Sequence, residues 1–389
     1  MPFSTRTLLK LLYFFFFGAL GSLLPFMALL FSERNISPSR TGLLMMLLPA
    51  SNLLIPPLWG RVADARSARV PALILALCGT AVCCVCLVPH WDFGALALAM
   101  LGFSVFRSPV TALLDAITHA HLNTRLEEFG LIRLWGSVGF LLASAIFGVL
   151  RDHLTPAAPL LGTALLLLLG AVVALRLDVP PAPGPSTPHQ ARLLPHLQQP
   201  GIILFLSAVA LYYCGHAVFD AFVSLHLRDL GFSDTFIGSM WSLGVAVEVA
   251  LMTAAPSILR RLTVEKTLVI ASLTAGLRWW ILSIADTPAL VLLQQPLHGV
   301  TFGLWYLASA DWIQSRAPAH LRATFQSLLI SFMGVGMLLG YGIGGSIFEH
   351  RGGQQLYQVA TVTAFLTALL YLWLQIQGHS PQKGSPEPS

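Results

Sequence analysis

Charged residues are scarce in this sequence. Asp, Glu, Lys and Arg make up 10% of the 389 residues, whereas hydrophobic residues make up 56%. A soluble globular domain has about 25% charged residues, which cover its surface. A chain with so little charge cannot coat a water-exposed surface, so the composition excludes an ordinary soluble protein and predicts a polytopic membrane protein.

Cysteines and enzyme motifs are also few. The five cysteines lie inside apolar runs without flanking histidine or aspartate, which excludes an extracellular disulfide framework and disfavours a metal site. The sequence lacks His-Glu-x-x-His, Gly-x-Ser-x-Gly and a phosphate-binding loop. We therefore expect neither an enzyme nor an ATP-driven pump.

Apolar runs of membrane-spanning length occupy most of the chain. A transmembrane helix needs about 20 apolar residues. The runs are at 8–31, 41–59, 70–89, 93–116, 129–150, 158–176, 200–226, 235–256, 264–285, 289–313, 323–348 and 354–377. The first is too long for a signal-peptide core and lacks a clear cleavage site, so we expect it to be retained. The sequence thus predicts an all-α membrane protein with twelve transmembrane helices.

Lysine and arginine are distributed unevenly between the connections. Of the 22, fourteen lie in the terminal segments and in the connections expected on the same side, and three lie within runs. Those expected on the opposite side are Arg34, Arg40, Arg151, Arg228 and Arg351. The positive-inside rule therefore predicts cytoplasmic N- and C-termini. No basic cluster is interleaved with a binding module, so we expect no nucleic-acid partner.

A proline-rich connection at 177–199 divides the chain. Its composition disfavours helix and predicts an extended cytoplasmic linker between an N-terminal six-helix half, 1–176, and a C-terminal six-helix half, 200–377. The polar residues 378–389 are predicted to form a disordered cytoplasmic tail.

The two halves show sparse internal similarity. A shift of 196 or 197 residues pairs Gly42 with Gly238, Asp115 with Asp311, Gly139 with Gly336, and Gly148 with Gly345. Parallel repeats related by an axis along the membrane normal are typical of one large transporter class, whose substrate site lies between the halves near mid-membrane. The pattern therefore predicts alternating access by rocking of two pseudo-repeats.

Several motifs resemble the major facilitator superfamily. The segment GRVADARSAR, from Gly60 to Arg69, resembles its cytoplasmic loop motif, with Ala68 in place of the usual glycine. FGLIRLWGSVGF from Phe129, WSLGVAVE from Trp241, LRW from Leu277 and LHGVTFG from Leu297 resemble the phenylpropionate permease family, which is related to the lactose permease group. This resemblance implies proton-coupled uptake of a small organic solute across the bacterial inner membrane.

Three ionisable residues, Arg107, Glu248 and Arg278, lie midway along apolar runs. A charge at such a depth costs at least about 2.5 to 3.5 kcal/mol, which marks a functional site. Desolvation favours a neutral carboxyl group, so Glu248 is the candidate proton carrier. The alternative is a structural carboxylate held by an arginine. Asn52, its counterpart in the repeat, is neutral and is a candidate solute contact.

The arginines are candidates for holding an anion. Arg278 precedes Trp279, so it either binds a solute carboxylate while a ring stacks on the indole, or pairs permanently with Glu248. Arg107 has no obvious partner and is the second candidate. His298 is either a solute contact or a hydrogen-bond partner of a neighbouring helix.

The remaining candidate residues concern proton transfer and gating. His216 and Asp220 are four residues apart, hence on one helix face, and form either a proton relay or a satisfied interior polar pair. Asp64, placed after the second run, would tie the cytoplasmic side closed through Arg66, Arg69 or Arg133, whereas the loop cations alternatively act only as topology signals. Other expected gating residues are Asp115, which would pair with Arg133, and Asp311.

The sequence as a whole predicts proton-coupled symport of a small organic solute, with an aromatic or other organic acid such as phenylpropionate favoured. Alternatives are nucleoside or sugar symport, drug or lipid export, and a transporter-derived sensor or channel. The expected partners are the solute, protons and the lipid bilayer. We expect a monomer that uses the proton gradient and no cofactor or metal.

Overall fold

The structure is a computed structural model that describes residues 4–65, 68–122, 128–177, 199, 201–318 and 321–377. The described chain is helical and contains no strand, which confirms the all-α prediction. Its helices are α1 Thr5–Leu23, α2 Met27–Ser32, α3 Pro38–Ala65, α4 Arg69–Cys86, α5 Phe93–Leu122, α6 Phe129–His153, α7 Ala158–Ala174, α8 Ile202–Asp229, α9 Asp234–Leu259, α10 Val264–Ile284, α11 Pro288–Leu293, α12 Trp305–Arg316 and α13 Arg322–Ile376. The predicted tail and nearly all of the predicted linker lie outside the described residues.

The helices suit a lipid environment. Within the described chain, nine helical segments are long and apolar enough to cross a membrane, and α7 is a shorter apolar helix. A helix pairs its backbone groups internally, as lipid requires, and neighbouring groups accommodate the prolines inside α3 and α5. Helix α5 runs beyond the predicted apolar limit, from residue 116 to Leu122. Hydropathy marks only the hydrocarbon depth, whereas a helix can continue into water.

The range named α13, Arg322–Ile376, contains two helices that meet at Gly352, where the chain reverses its direction. This residue has φ 78° and ψ 171°, a backbone conformation that glycine adopts readily. Contacts with α8 pair Gly336 with Ala210, Gly344 with Phe222, Tyr357 with His226, and Tyr371 with Phe205. The first part of α13 therefore runs parallel to α8 and the second part antiparallel to it. The reversal lies between the last two predicted apolar runs, 323–348 and 354–377.

The segment between α11 and α12 is irregular. A 3-10 turn covers Gln295–Leu297, and a π-helical turn covers Val300–Leu304. Pro296 removes one backbone donor from this stretch. The sequence predicted an apolar run here but not its irregularity, which places His298 between the two distorted turns. Such π turns occur often at functional sites.

Two stretches of chain pack against each other along two seams. We call residues 4–177 the first segment and residues 201–377 the second segment. The seams run between α3 and α13 and between α6 and α9. A side chain at Gly42 would collide with the Tyr341 carbonyl, and one at Gly238 with the Ser144 carbonyl. The helices are therefore in closest contact at these glycines.

Both glycine contacts lie toward the same end of the bundle. Gly42 also meets Gly345, and Gly238 meets Gly148. The repeat pairs Gly42 with Gly238 and Gly148 with Gly345, so the two seams are equivalent under it. We call this end, where α6 ends and α9 begins, the closed end.

Candidate solute and proton site

Glu248 lies midway along α9 and faces His298. Its Oε2 is 3.7 Å from Nε2 of His298, and the two side chains are 19% and 12% exposed. Nδ1 of His298 is buried without a partner among the described residues. Arg133 of α6 lies within electrostatic range of the carboxylate from the other segment. The contact partner of Glu248 is thus a titratable imidazole.

Arg278 is 0% exposed and has neutral hydrogen-bond partners. Its Nε donates to Oε1 of Gln294 at 2.9 Å, and Nη1 donates to Oγ1 of Thr301 at 2.7 Å. The guanidinium also lies 4.8 Å from the ring centroid of the buried Trp279. Arg278 is therefore held inside the second segment, and its hydrogen bonds do not go to Glu248.

His216 belongs to an aromatic cluster in the interior of the second segment. Its Nδ1 lies 3.2 Å from the Tyr212 carbonyl oxygen, one helical turn away. The Tyr212 ring stacks on Trp305 with centroids 4.4 Å apart. Asp220 lies one turn further along α8, half-buried and within electrostatic range of Arg278. The two predicted relay residues thus share a helix face, with His216 packed among aromatic rings.

Arg107 has a single hydrogen-bond acceptor among the described residues. Its Nη2 donates to Oδ1 of Asn52 at 3.0 Å, whereas its Nε is buried without a partner. Among the described residues, no carboxylate lies within ion-pair distance of it. The Asn52 side chain is exposed although it lies midway along α3. A guanidinium has five N–H donors, so Arg107 has capacity for a further acceptor.

The structure separates the predicted gating residues. Asp115 accepts a hydrogen bond from the Tyr13 hydroxyl at 2.6 Å, and Arg133 lies over the Phe17 ring at 4.9 Å. No ion pair within 4 Å joins Asp115 to Arg133 in the part of the chain that the structure describes. The proposed pair is therefore not formed in this conformation.

Two of the other predicted gating residues can be placed in the structure, and two lie wholly or partly outside the described residues. Asp311 is exposed on α12, and Arg69 is the first residue of α4. Arg66 and the Asp64 side chain lie outside the described residues.

Sequence reasoning missed the residues that hold Arg278. Gln294 and Thr301 come from the irregular segment, and both are fully buried. The adjacent amides Gln294 and Gln295 inside an apolar run were an available signal, since buried polar groups need partners. In the sequence, Arg151 and Arg228 were interpreted only as topology signals.

Apolar helices that enclose acidic and basic side chains define this molecule as a membrane transporter. The model of the MFS_1 like family matches residues 6–359. The chain belongs to this family, and it is a secondary transporter of the major facilitator type. The superfamily indicated by the motifs is thereby confirmed, as is the expectation that the protein is not an enzyme.

Three proteins that the chain is similar to are transporters with different named solutes. The chain is 28% identical over 371 residues to the maltose permease of Geobacillus stearothermophilus, covering 94% of this chain and 91% of that protein. It is also 28% identical over 371 residues to the probable 3-phenylpropionic acid transporter of Escherichia coli (strain K12), covering 92% and 95%. The crystal structure of the nucleoside transporter NupG matches with a TM-score of 0.85 and 20% identity, covering 97% of this chain and 100% of that chain. The last likeness concerns the fold alone.

Proposed function

We propose that this transporter carries a small organic acid in symport with a proton, and that an aromatic acid such as phenylpropionate is the favoured solute. The observation that carries the proposal is the contact of 3.7 Å between Glu248 and His298. A carboxylate locked to an arginine keeps its charge, whereas a carboxylate beside an imidazole exchanges a proton more readily. Protonation of Glu248 removes a buried charge and so changes which conformation is preferred.

Arg107 supports an anionic solute. Its one hydrogen-bond partner among the described residues is the neutral amide of Asn52. An incoming carboxylate would supply the missing acceptors in bidentate geometry and neutralise the guanidinium. We assign this role to Arg107 because Arg278 already makes two buried hydrogen bonds.

The groups around Arg278 have supporting roles in this proposal. His216 and Asp220 serve as the second proton site, reached from Glu248 through His298. Trp279 is fully buried and holds Arg278 in position behind the solute path.

The proposal includes a complete topology. It has twelve spans in two six-helix halves, at 1–176 and 200–377. In this count, α1 and α2 together form one span, the segment 288–316 forms one, and each of the two parts of α13 forms one. Both termini, the linker 177–199 and the tail 378–389 are cytoplasmic in a bacterial inner membrane. The protein acts as a monomer and uses the proton gradient without a cofactor.

Alternating access completes the proposal. Asp64, Arg66, Arg69, Asp115, Arg133 and Asp311 make their gating contacts when the cytoplasmic side closes. The separation of Asp115 from Arg133 and the closed end on the opposite side support a conformation open toward the cytoplasm.

Uptake into proteoliposomes under an imposed inward proton gradient tests the proposal. The labelled panel contains phenylpropionate, benzoate, a nucleoside and a disaccharide. We expect an aromatic acid to accumulate above its external concentration, and a protonophore to abolish the accumulation. Accumulation of the nucleoside or the disaccharide alone would overturn the organic-acid assignment. Equilibration without accumulation would overturn proton coupling.

A further inference from the structure

Four charged side chains from both segments meet at the closed end. Glu33 and Arg151 belong to the first segment, and Arg228 and Asp234 belong to the second. The Arg151 side chain is 1% exposed and that of Asp234 is 6% exposed. The side chains of Glu33 and Arg228 are 30% and 38% exposed, so the cluster has a buried pair and a pair that is partly open to solvent.

The four residues form two kinds of ion pair. Between the segments, Nε of Arg151 is 2.9 Å from Oδ2 of Asp234, and Nη1 of Arg228 is 3.8 Å from Oε1 of Glu33. Within the segments, Nη2 of Arg151 is 2.5 Å from Oε1 of Glu33, and Nη2 of Arg228 pairs with Oδ1 of Asp234. Each segment thus brings one acid and one base.

This arrangement changes the cost of separating the segments. Breaking a buried ion pair is usually expensive because it leaves an uncompensated charge in a poorly hydrated place. Here each arginine keeps a carboxylate of its own segment when the segments part. The acid–base pair that remains on each separated segment is then electrically neutral.

Neighbouring contacts hold the cluster in register. Nη1 of Arg151 donates to the Pro156 carbonyl at 2.7 Å, which fixes the guanidinium within the first segment. The Asp152 carboxylate accepts from the backbone N–H groups of Asp234 at 3.1 Å and Thr235 at 2.8 Å, across the seam at the start of α9. A carboxylate at a helix N-terminus is stabilised by the helix dipole.

We propose that Glu33, Arg151, Arg228 and Asp234 form an ionic clasp that holds the closed end shut and opens by release of the pairs between the segments, while the pairs within each segment remain. In the closed state each arginine binds a carboxylate from both segments. In the open state each arginine keeps only the carboxylate of its own segment. The inference rests on the proposed rocking of the two segments, but it requires no particular solute and no proton coupling.

Two charge-neutral double variants separate this clasp from a simple loss of charge. Glu33→Gln with Arg151→Gln leaves only the pair Arg228–Asp234 of the four residues, so no ion pair of the cluster bridges the segments. Arg151→Gln with Asp234→Asn leaves Glu33 and Arg228, which still bridge them. Each variant removes one acid and one base.

The readout is the distance between spin labels at Leu154 and Leu230, measured by pulsed electron–electron double resonance on the protein in nanodiscs. Both positions are exposed at the closed end, one in each segment. The labels are introduced in a background that lacks the five native cysteines. The control is Glu265→Gln with Arg316→Gln, an ion pair of 3.6 Å within the second segment.

We expect Glu33→Gln with Arg151→Gln to raise the population of longer distances at least about threefold, a shift that a small change in relative stability produces. The mirror variant, Arg228→Gln with Asp234→Asn, should behave alike and provides a second test if the first folds poorly. Arg151→Gln with Asp234→Asn should stay close to the native distribution. Equal opening in all three cluster variants would show that the pairs between the segments are not what holds the end shut, and no opening in any of them would overturn the clasp. Because no solute is present, neither outcome depends on the transport assay.

Discussion

Two interior arginines, Arg107 and Arg278, have different surroundings in this protein. Arg278 makes two buried hydrogen bonds and lies over aromatic rings, whereas Arg107, at similar depth, has one neutral partner. Each arginine has one buried nitrogen without a partner among the described residues, Nη2 in Arg278 and Nε in Arg107. Arg278 is nevertheless anchored by two side chains and fully enclosed, whereas Arg107 is anchored by one and keeps more donors for a ligand. The partners, rather than the depth, therefore distinguish the roles that we assign.

Arg107→Gln should weaken solute binding. Hydrogen bonds to a charged group are worth about 1.5 to 3 kcal/mol, so we expect the KM for an accumulated organic acid to rise by roughly 10- to 150-fold. Arg107→Lys should recover only part of this loss, because an ammonium group cannot bind a carboxylate through a planar fork. Initial uptake rates over a range of solute concentrations give the comparison. Arg176→Gln, an exposed change at the end of α7, serves as the control. An unchanged KM in Arg107→Gln would exclude this arginine from the solute site.

Thr301→Val should destabilise the protein. It removes the Oγ1 acceptor of a buried guanidinium, and an unsatisfied buried group costs about 1 to 3 kcal/mol. Thermal unfolding of the purified protein in detergent gives the comparison with Thr253→Val. Thr253 is exposed, and its hydroxyl bonds to the backbone of its own helix. Equal unfolding temperatures for the two variants would contradict a supporting role of Thr301.

The sequence predicted which interior residues matter better than it predicted their partners. Glu248 could be found because a carboxylate interrupts an apolar run. Its contact with His298 could not, because it depends on how α9 packs against the irregular segment that follows α11. Likewise, Gln294 and Thr301 come together at Arg278 only once that segment is distorted.

At the scale of the helices, single residues decide where the regular geometry stops. Gly352 reverses α13 within one residue, at a φ of 78°. The apolar runs predicted a break between residues 348 and 354, since polar residues separate them. The apolar runs carried no information about how sharply the chain turns, because the turn depends on the positive-φ conformation of one glycine.

Gly352→Ala should therefore destabilise the connection in α13. Gly352, at φ 78° and ψ 171°, lies in a backbone region that is essentially restricted to glycine, and an L-residue there costs about 1 to 3 kcal/mol. Thermal unfolding in detergent compares this variant with Gly60→Ala, where nothing lies near an added Cβ and φ is not positive. The control should be neutral or stabilising, since alanine favours helix. A loss in Gly60→Ala as large as that in Gly352→Ala would show that the backbone conformation is not the cause.

At the scale of the molecule, the two seams and the ionic cluster all lie toward one end. Gly42 with Gly345, Gly238 with Gly148, and Ser39 with Glu349 join the segments there. Sparse glycine matches in the sequence predicted the repeat relation of the seams. They did not predict the ionic cluster, because its four residues lie at the ends of four different helices, share no motif, and meet only when both segments are folded.

In the proposed mechanism, protonation of Glu248 couples the proton gradient to solute movement. A carrier without that titration should still exchange solute across the membrane, because exchange needs no net proton transfer. Glu248→Gln keeps the shape of the side chain in its protonated form.

The most direct measurement compares gradient-driven accumulation with downhill exchange of the same labelled solute in proteoliposomes. The variants are the native protein, Glu248→Gln, and the control Glu265→Gln, which changes a carboxylate at the start of α10. We predict that Glu248→Gln loses accumulation and retains exchange, while the control retains both. Accumulation by Glu248→Gln at the native level would contradict the account and make Glu248 a structural residue.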